Sequence, residues 1–486
     1  MKGNQKKKKK GWVKWGLALF ALLFLITLIY HQVKPLPEGV SRESDAITIS
    51  DDQIDFMSDL TYTADGDRVV EQEIFDEVER AIRDAKEFIV MDFFLFNPYS
   101  NGDREYPEIT KRLSTAIVEQ MEKYPDLKVV FITDEINTTY KGHKSEHFDL
   151  LEEKGVEVVY TDLDDLRDPN LLYSTLYRIG FQWFGHSYDG WLPNPMAKTA
   201  PDINIRAYLR LLNIKANHRK VMVTENEGFV LSANPHDASG YHSNVGVRLT
   251  GPILSEIIEG EEAVAAFSEG DLDRFPDEDQ REAFGPEADG DMEIQFVTES
   301  KIQDAVIEAM DGAEEGDAIW LGMFYLADRN IIQAIEDAAG RGVDVRIILD
   351  PNTNAFGRQK SGLPNLPVTA ELDTVDAEHI EIRWYDVGKE QYHSKILYVD
   401  GKEKTVVLGS GNYTTRNMND YNIEADVAVR GTTDTAFFDE VDGYFNRLWN
   451  NEDGVFTVGY DEIQTDIPLT KYLLYWLQKI TWTMTY

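Results

Sequence analysis

The 486-residue sequence contains no cysteine. Disulfide bonds, thiol catalysis and cysteine-ligated zinc are therefore excluded. Basic residues are few, because 48 lysines and arginines stand against 87 aspartates and glutamates, for a formal net charge of −39 at pH 7. Such a surface repels nucleic acids and anionic membranes unless positive charge is concentrated locally. We expect no nucleic-acid partner, and adaptation to a salty or alkaline medium would account for the charge.

The N-terminus is the exception to this acidity. Seven lysines and no acidic residue occur among the first fourteen residues, and Trp15 to Tyr30 then carry no charge. With Trp12 and Val13, this apolar segment approaches the length needed to span a bilayer. No small-residue cleavage pattern follows Tyr30, so we expect an uncleaved single-pass anchor in the cell membrane. The lysines should stay in the cytoplasm, with the rest of the chain outside it.

One polar hairpin pattern occurs twice, at 217–234 and at 392–412. In each copy a histidine and a lysine two residues apart share one face of a strand, and a serine and an asparagine follow on the partner strand. An imidazole, an ammonium, a hydroxyl and an amide on one face suit a phosphate ester. The residues are His218, Lys220, Ser232 and Asn234 in the first copy, and His393, Lys395, Ser410 and Asn412 in the second.

Helical and strand patterns alternate before each hairpin in the same order, which predicts an α/β fold built by internal duplication. The first half is predicted to have helices at 71–86, 109–123 and 148–154 and strands at 88–96, 127–132 and 156–160. The second half is predicted to have helices at 301–312 and 330–340 and strands at 318–326, 343–349 and 380–385. Helices at 253–267 and 435–449 follow the two hairpins.

These patterns divide the chain into six segments, with a long aromatic, irregular stretch at 173–208 inside the first half. The segments are a basic N-terminus with its anchor (1–33), a linker (34–50), the first half (51–267), an acidic linker (268–291), the second half (292–452) and a C-terminal extension (453–486) with an amphipathic helix at 469–486.

The hairpins resemble the phospholipase D superfamily, whose signature is H-x-K-x4-D followed by G-S/G-x-N, present twice. The second copy matches throughout, with Asp400 and Gly409 completing the pattern. The first copy has Glu225 in place of the aspartate and Leu231 in place of the glycine. The resemblance implies two tandem repeats of a phospholipase D-type α/β/α sandwich, related by a pseudo-twofold axis and sharing one site.

In this family a carboxylate supports an active-site histidine. Glu424 fits that role in the second copy, beside His393. Gly246 occupies the corresponding place in the first copy, so Asp237 is the candidate substitute there. Arg416 fits the arginine often found just after G-S-x-N in members that transfer phosphatidyl groups.

The resemblance implies a phosphohistidine mechanism without metal or cofactor. It makes His218 the nucleophile and His393 the acid and base, although the position of Glu424 argues for the reverse. Lys220 and Lys395 would hold the phosphate oxygens with help from the serines, the asparagines and Arg416, while Glu225 and Asp400 would be structural.

The expected function is that of a bacterial, membrane-anchored, cardiolipin synthase-like enzyme with a phospholipid substrate. Transfer and hydrolysis both remain open, as does the oligomeric state. The aromatic stretch at 173–208 either lines an entrance for an acyl chain or headgroup or packs as an ordinary cap. The alternatives are an endonuclease of the same superfamily and a catalytically silent membrane scaffold.

Overall fold

The computed structural model describes residues 2–463 except 103, 186, 356, 357, 360, 361, 376 and 377, together with Leu473 and Leu477. Apart from these two leucines, the amphipathic helix expected at 469–486 lies outside the described residues.

The described helices are numbered in chain order. They are α1 (Lys2–Val33), α2 (Ile74–Asp84), α3 (Ile109–Lys123), α4 (Glu146–Glu153), α5 (Leu171–Gly180), α6 (Ile205–Leu211), α7 (Ile253–Phe267), α8 (Glu278–Glu282), α9 (Ser300–Asp311), α10 (Arg329–Gly340), α11 (Asn365–Val375), α12 (Thr415–Met418), α13 (Ala436–Asn450) and α14 (Tyr460–Ile463).

The described strands are numbered in the same way. They are β1 (Ile47–Ile49), β2 (Ile54–Ala64), β3 (Asp67–Glu71), β4 (Phe88–Phe93), β5 (Lys128–Thr133), β6 (Glu157–Tyr160), β7 (Lys220–Thr224), β8 (Gly228–Leu231), β9 (Asn244–Leu249), β10 (Met292–Thr298), β11 (Ala318–Met323), β12 (Asp344–Leu349), β13 (Asn354–Ala355), β14 (Arg358–Gln359), β15 (Ile380–Tyr385), β16 (Lys395–Asp400), β17 (Lys404–Gly409), β18 (Ala425–Gly431) and β19 (Thr457–Gly459).

Two mixed sheets dominate the structure and repeat one topology. The first sheet has the order β3-β2-β9-β8-β7-β4-β5-β6, and the second has the order β1-β10-β18-β17-β16-β11-β12-β15-β19. Seven consecutive strands correspond between them, from β2 to β6 in the first order and from β10 to β15 in the second. The prediction of a duplicated α/β fold is confirmed.

The hydrophobic core lies in layers set by the apolar faces of the elements. One cluster packs α2 and α3 on the outer face of the first sheet. Another packs α9 and α10 on the outer face of the second. The third cluster joins residues of both sheets with α7 and α13, so the two halves share one interior. Because apolar side chains alternate with the strand period, each sheet can serve two layers at once.

Helix α1 contains the predicted anchor. Gly11–Val33 contains an 18-residue window with a mean hydropathy of 2.1 and is long and apolar enough to cross a membrane. At about 1.5 Å per residue, its 23 residues extend about 34 Å, slightly more than a hydrocarbon core of about 30 Å. The helix end is tied to the globular part, because the main-chain N of Asp168 donates to the main-chain O of His31 over 3.1 Å.

The two expected linkers are packed rather than extended. Within 34–50, β1 pairs antiparallel with β10, and Val40 and Ile49 are fully buried. Within 268–291, α8 forms and Phe275 is buried. The segment before the first half therefore joins the sheet of the second half.

Candidate active site

The two motif histidines are held at the junction of the halves by matching main-chain contacts. The main-chain N of His218 donates to the main-chain O of Ile423 over 2.8 Å. In the second half, the main-chain N of His393 donates to the main-chain O of Ser243 over 2.7 Å. Each histidine therefore lies just before its motif strand and is paired with the opposite half, which brings both motifs to one place.

The motif lysines are buried in equivalent surroundings. Each ammonium donates to the main-chain oxygen of the histidine two residues before it, over 2.6 Å for Lys220 and 2.5 Å for Lys395. Each also lies 5.3 Å from the centre of a phenylalanine ring, Phe94 for Lys220 and Phe324 for Lys395. The ring face attracts the cation and helps to hold it in position.

The two imidazoles differ in what they contact. Nδ1 of His218 lies 2.9 Å from Oε2 of Glu424, which is fully buried. Ser410 Oγ donates to the same carboxylate oxygen, and the side-chain amide of Asn417 donates to the other. The expectation that Glu424 supports His393 is therefore wrong, since the carboxylate crosses to the histidine of the other half.

Strand register explains this error. β17 pairs Gly409 with Asp426, and β8 pairs Leu231 with Gly246. Gly246 is therefore the counterpart of Asp426, and Asn244 is the counterpart of the glutamate two residues before Asp426. The carboxylate position in the first half thus holds an amide.

The same register accounts for the leucine in the first motif. A Cβ atom added to Gly246 would overlap the side chain of Leu231, and one added to Gly409 would overlap Asp426. In the first half, the glycine on β9 leaves room for Leu231 on β8. In the second half, the glycine on β17 leaves room for Asp426 on β18. The departure at Leu231 is therefore compensated by its partner strand.

His393 has only uncharged acceptors at Nδ1. That atom lies 3.0 Å from the main-chain O of Ser232 and 3.3 Å from Oδ1 of Asn244. Because both neighbours of this atom are hydrogen-bond acceptors, Nδ1 of His393 carries the proton, and Nδ1 of His218 carries it for the same reason beside Glu424. Nε2 is therefore the unprotonated nitrogen of each neutral ring, and only His218 has a carboxylate behind it.

Burial and neighbouring charge depress the basicity of the site. Burial, assisted by the two lysines, lowers the pKa of His218 well below its usual value, and burial with Lys395 does the same for His393. Burial lowers the pKa of Lys220 to about 7 and that of Lys395 well below its usual value. Burial also raises the pKa of Glu424 to about 7. An anion in this site would offset the cost of the buried positive charges.

Two further buried carboxylates fix the histidine strands. Asp134 Oδ2 accepts from the main-chain N of Asn217 over 2.7 Å, and Asp350 Oδ2 accepts from that of Tyr392 over 2.8 Å. Burial raises the pKa of Asp134 to about 8 and that of Asp350 to about 7. Sequence reasoning missed both, although each directly follows a buried strand, β5 or β12, in a matching place of the repeat.

The motif serines also contact different groups in the two halves. Ser410 Oγ binds the carboxylate described above, whereas Ser232 Oγ donates to Oδ1 of Asn244 over 3.3 Å. Asn234 Oδ1 accepts from a main-chain N over 3.4 Å. Oδ1 of Asn412 is buried and accepts no hydrogen bond from any described residue. Asn234 and Asn412 are both buried.

Arg416 lies on the short helix α12, and its positive charge contributes to the lowered pKa of His218. Burial lowers the pKa of Arg416 itself to about 10. The structure therefore brings this arginine to the same cluster as the motif residues.

Three predicted carboxylates lie elsewhere. Glu225 and Asp400 are at the far ends of the motif strands, about 16 Å from the lysines at about 3.3 Å per residue. Glu225 accepts from the main-chain N of Lys86, and Asp400 forms an ion pair with Lys404. Asp237 accepts from the main-chain N of Thr110 near the start of α3, so it does not substitute for the missing carboxylate. Among the described residues, no three histidine or acidic side chains form a metal cluster.

Residues 306–449 match the family model described as cardiolipin synthase, PLD-like domain. This match covers the half with the complete signature, and the duplicated fold carries the motif a second time. Residues 306–449 therefore form a phospholipase D-like domain. A comparison with curated protein sequences finds no match.

Solved structures with similarity to this chain include the following three. The phosphatidylserine synthase of Haemophilus influenzae Rd KW20 is 11% identical with a TM-score of 0.57, over 92% of this chain and 96% of that one. The polyphosphate kinase of Porphyromonas gingivalis is 13% identical with a TM-score of 0.44, over 94% and 56%. Nuc of Salmonella typhimurium, a phospholipase D family member, is 20% identical with a TM-score of 0.27, over 35% and 98%. The first similarity shows that nearly the whole chain shares its fold.

Proposed function

We propose that this chain is a membrane-anchored phospholipase D-type phosphatidyltransferase of the cardiolipin synthase kind, which hydrolyses its substrate when water replaces the acceptor alcohol. One observation carries the proposal. His218 and His393 are each paired with the opposite half, stand among buried cations, and differ in having a carboxylate or neutral oxygens at Nδ1. This arrangement suits a phosphodiester and gives the two imidazoles different roles.

His218 is the nucleophile in this proposal. Glu424 holds the Nδ1 proton and leaves Nε2 free to attack phosphorus, and it stabilises the positive charge that develops on the ring. A lowered pKa keeps the ring unprotonated at neutral pH. The bond between Nε2 and phosphorus forms as the bond from phosphorus to the leaving alcohol oxygen breaks.

His393 is the general acid and the general base in this proposal. In the complex with an anionic phosphodiester its pKa rises, because the negative charge favours the imidazolium form. It donates its Nε2 proton to the departing alcohol oxygen and then takes a proton from the incoming alcohol or water. The incoming oxygen bonds to phosphorus as the bond to His218 breaks, so the enzyme returns to its starting state.

The cations act on the phosphoryl oxygens. Lys220 and Lys395 are fixed before substrate binds, so they stabilise the charge of the transition state without moving. Oδ1 of Asn412 accepts no hydrogen bond within the described chain and suits a hydroxyl donor such as an acceptor alcohol. Arg416 adds a third positive charge on the side of His218.

The membrane segment supports a lipid substrate over a nucleic acid. Helix α1 would hold the site near a bilayer, while a net charge of −39 would repel a polyanion. The N-terminal lysines favour the orientation with the catalytic part outside the cytoplasm.

Mass spectrometry of lipids from vesicles that contain phosphatidylglycerol and the purified full chain tests this function. Cardiolipin with glycerol is expected for transfer, and phosphatidic acid for hydrolysis. His218→Ala and His393→Ala serve as inactive controls. The proposal fails if the active protein forms neither product, and metal-independent cleavage of DNA that His393→Ala abolishes would replace it with a nuclease.

A further inference from the structure

Helix α5 buries several polar residues on one face and exposes two leucines on the other. Leu172 and Leu176 are 54% and 45% exposed, whereas Ser174, Thr175 and Arg178 are buried. A surface helix of a soluble protein normally shows the opposite pattern. The outer face of α5 therefore requires an apolar neighbour that the described part of the chain does not supply.

The segment after α5 extends this surface. Phe181, Phe184 and the two tryptophans Trp183 and Trp191 are exposed, with Trp183 at 77%. A large continuous apolar surface on a protein marks an interaction site. We define the aromatic patch as Leu172, Leu176, Phe181, Trp183 and Phe184.

The patch lies beside the membrane segment. Helix α5 packs against α1. The end of α1 is bonded just before α5, because Lys34 Nζ donates to the main-chain O of Asp164 over 2.9 Å. Since Gly11–Val33 is slightly longer than the hydrocarbon core, its last turn reaches the membrane interface. With α1 across a bilayer, the patch would lie at the level where aromatic side chains favour the boundary between acyl chains and headgroups.

We propose that the aromatic patch inserts into the interface of the bilayer that α1 spans and holds the candidate active site against the lipid headgroups. The continuity of the patch with α1 identifies a lipid surface as its occupant. Charge cannot provide this attachment, because the chain is strongly acidic outside its N-terminus. The attachment should therefore be insensitive to salt. The inference deepens the proposed function by specifying how the site reaches a phospholipid.

A buried ion cluster connects the patch to the first motif. Arg178 of α5 donates to both carboxylate oxygens of Asp168, over 2.6 and 2.8 Å. Lys215 forms an ion pair with the same aspartate over 3.0 Å. Because Lys215 is three residues before His218, insertion of α5 fixes the position of the first histidine strand relative to the membrane.

The absence of cysteine allows a direct test with single-cysteine variants of the full chain in vesicles. A polarity-sensitive fluorophore is attached at Leu176→Cys, at Trp183→Cys and at the control Leu272→Cys. Leu272 and Leu176 are both 45% exposed, but Leu272 lies outside the patch. We expect blue-shifted emission and quenching by nitroxide-labelled lipids at the two patch positions, at low and high salt, and neither effect at Leu272.

Two results would overturn the proposal. If the probes on the patch show the same emission wavelength and the same weak lipid quenching as the control probe, the patch stays in water. A blue shift without lipid quenching would show that protein, such as a second copy of the chain, covers it. The fluorescence measurement needs no catalytic turnover, so it tests membrane insertion independently of the proposed reaction. If that reaction is present, Trp183→Ser with Phe184→Ser should slow turnover of vesicle lipid and leave turnover of a soluble phosphodiester unchanged.

Discussion

Glu424 of the second half accepts a hydrogen bond from Nδ1 of His218 in the first half, over 2.9 Å. The carboxylate is fully buried and also binds Ser410, the serine of the second motif. Neither half therefore contains a complete site, although each contains a complete hairpin.

Replacing Glu424 tests this relationship. Glu424→Gln keeps the shape but removes the charge behind the proposed nucleophile, and we expect kcat/KM to fall by about 10²-fold to 10⁴-fold. Asn244→Ala, at the matching position of the first half, is the control and should cost less, because His393 keeps the main-chain oxygen of Ser232 as an acceptor. Equal losses in the two variants would contradict the proposed roles of the histidines.

The pH dependence of activity follows from the same carboxylate. Burial raises the pKa of Glu424 to about 7, and the productive form requires its ionised state. As the pH falls through this value, protonation removes the negative charge beside Nδ1 of His218, so kcat/KM should fall by about tenfold per pH unit. Measurements on a soluble phosphodiester across the neutral range should show this acid limb in the wild type and not in Glu424→Gln. Persistence of the limb in that variant would assign it to another group.

A covalent intermediate should accumulate when its breakdown is blocked. His393→Ala removes the proposed base that activates the second alcohol. With a p-nitrophenyl phosphodiester as substrate, the p-nitrophenolate group leaves without needing a proton, so the first step can still occur. We expect acid-sensitive phosphorylation of His218 in rapidly quenched samples, detected by intact mass and peptide mapping. The matched variant His218→Ala should carry no such adduct. An adduct on residue 393 of His218→Ala would reverse the assignment.

The two buried lysines should matter for the reaction rather than for folding alone. Lys220→Met and Lys395→Met should each lower kcat/KM by about 10²-fold to 10³-fold, the usual effect of removing one donor to a developing charge. Lys404→Met is the control, because Lys404 forms its ion pair with Asp400 at the far end of the second hairpin. Thermal unfolding of all three variants separates a loss of activity from a loss of fold, and a comparable loss of activity in Lys404→Met would refute the local role.

A buried arginine should dominate the stability of the junction. Arg219 is completely buried and forms ion pairs with Glu261 and Glu299 over 3.1 and 2.9 Å. Arg219→Ala leaves both carboxyl groups without their cation, and we expect a loss of about 3–5 kcal/mol in the free energy of unfolding. Arg248→Ala, which breaks a partly exposed pair with Asp55, should cost about 1 kcal/mol or less in the same denaturant titration. Similar losses would show that burial of the pair is unimportant.

Much of the fold could be predicted because its apolar periods are regular. The helices at Ile109–Lys123 and Ile253–Phe267 and the strand at Ile380–Tyr385 have the predicted bounds. Strand β2 (Ile54–Ala64) was missed, because its sequence mixes charged and apolar residues and it owes its place to pairing with β9 and β3. Helices α5 and α6 were missed for a related reason, since outward-facing leucines and aromatics obscure the usual amphipathic pattern.

The sequence by itself determined that one hairpin occurs twice, that each copy carries a histidine and a lysine on one face, and that an apolar segment precedes them. Only the tertiary structure decided which histidine receives Glu424 and that Asn244, not Gly246, is its counterpart. Residues two apart on a strand face the same side, so the sequence pattern cannot distinguish position 244 from position 246. The choice depends on hydrogen-bond register and on strands that pair across the two halves, and these exist only after the halves have packed together.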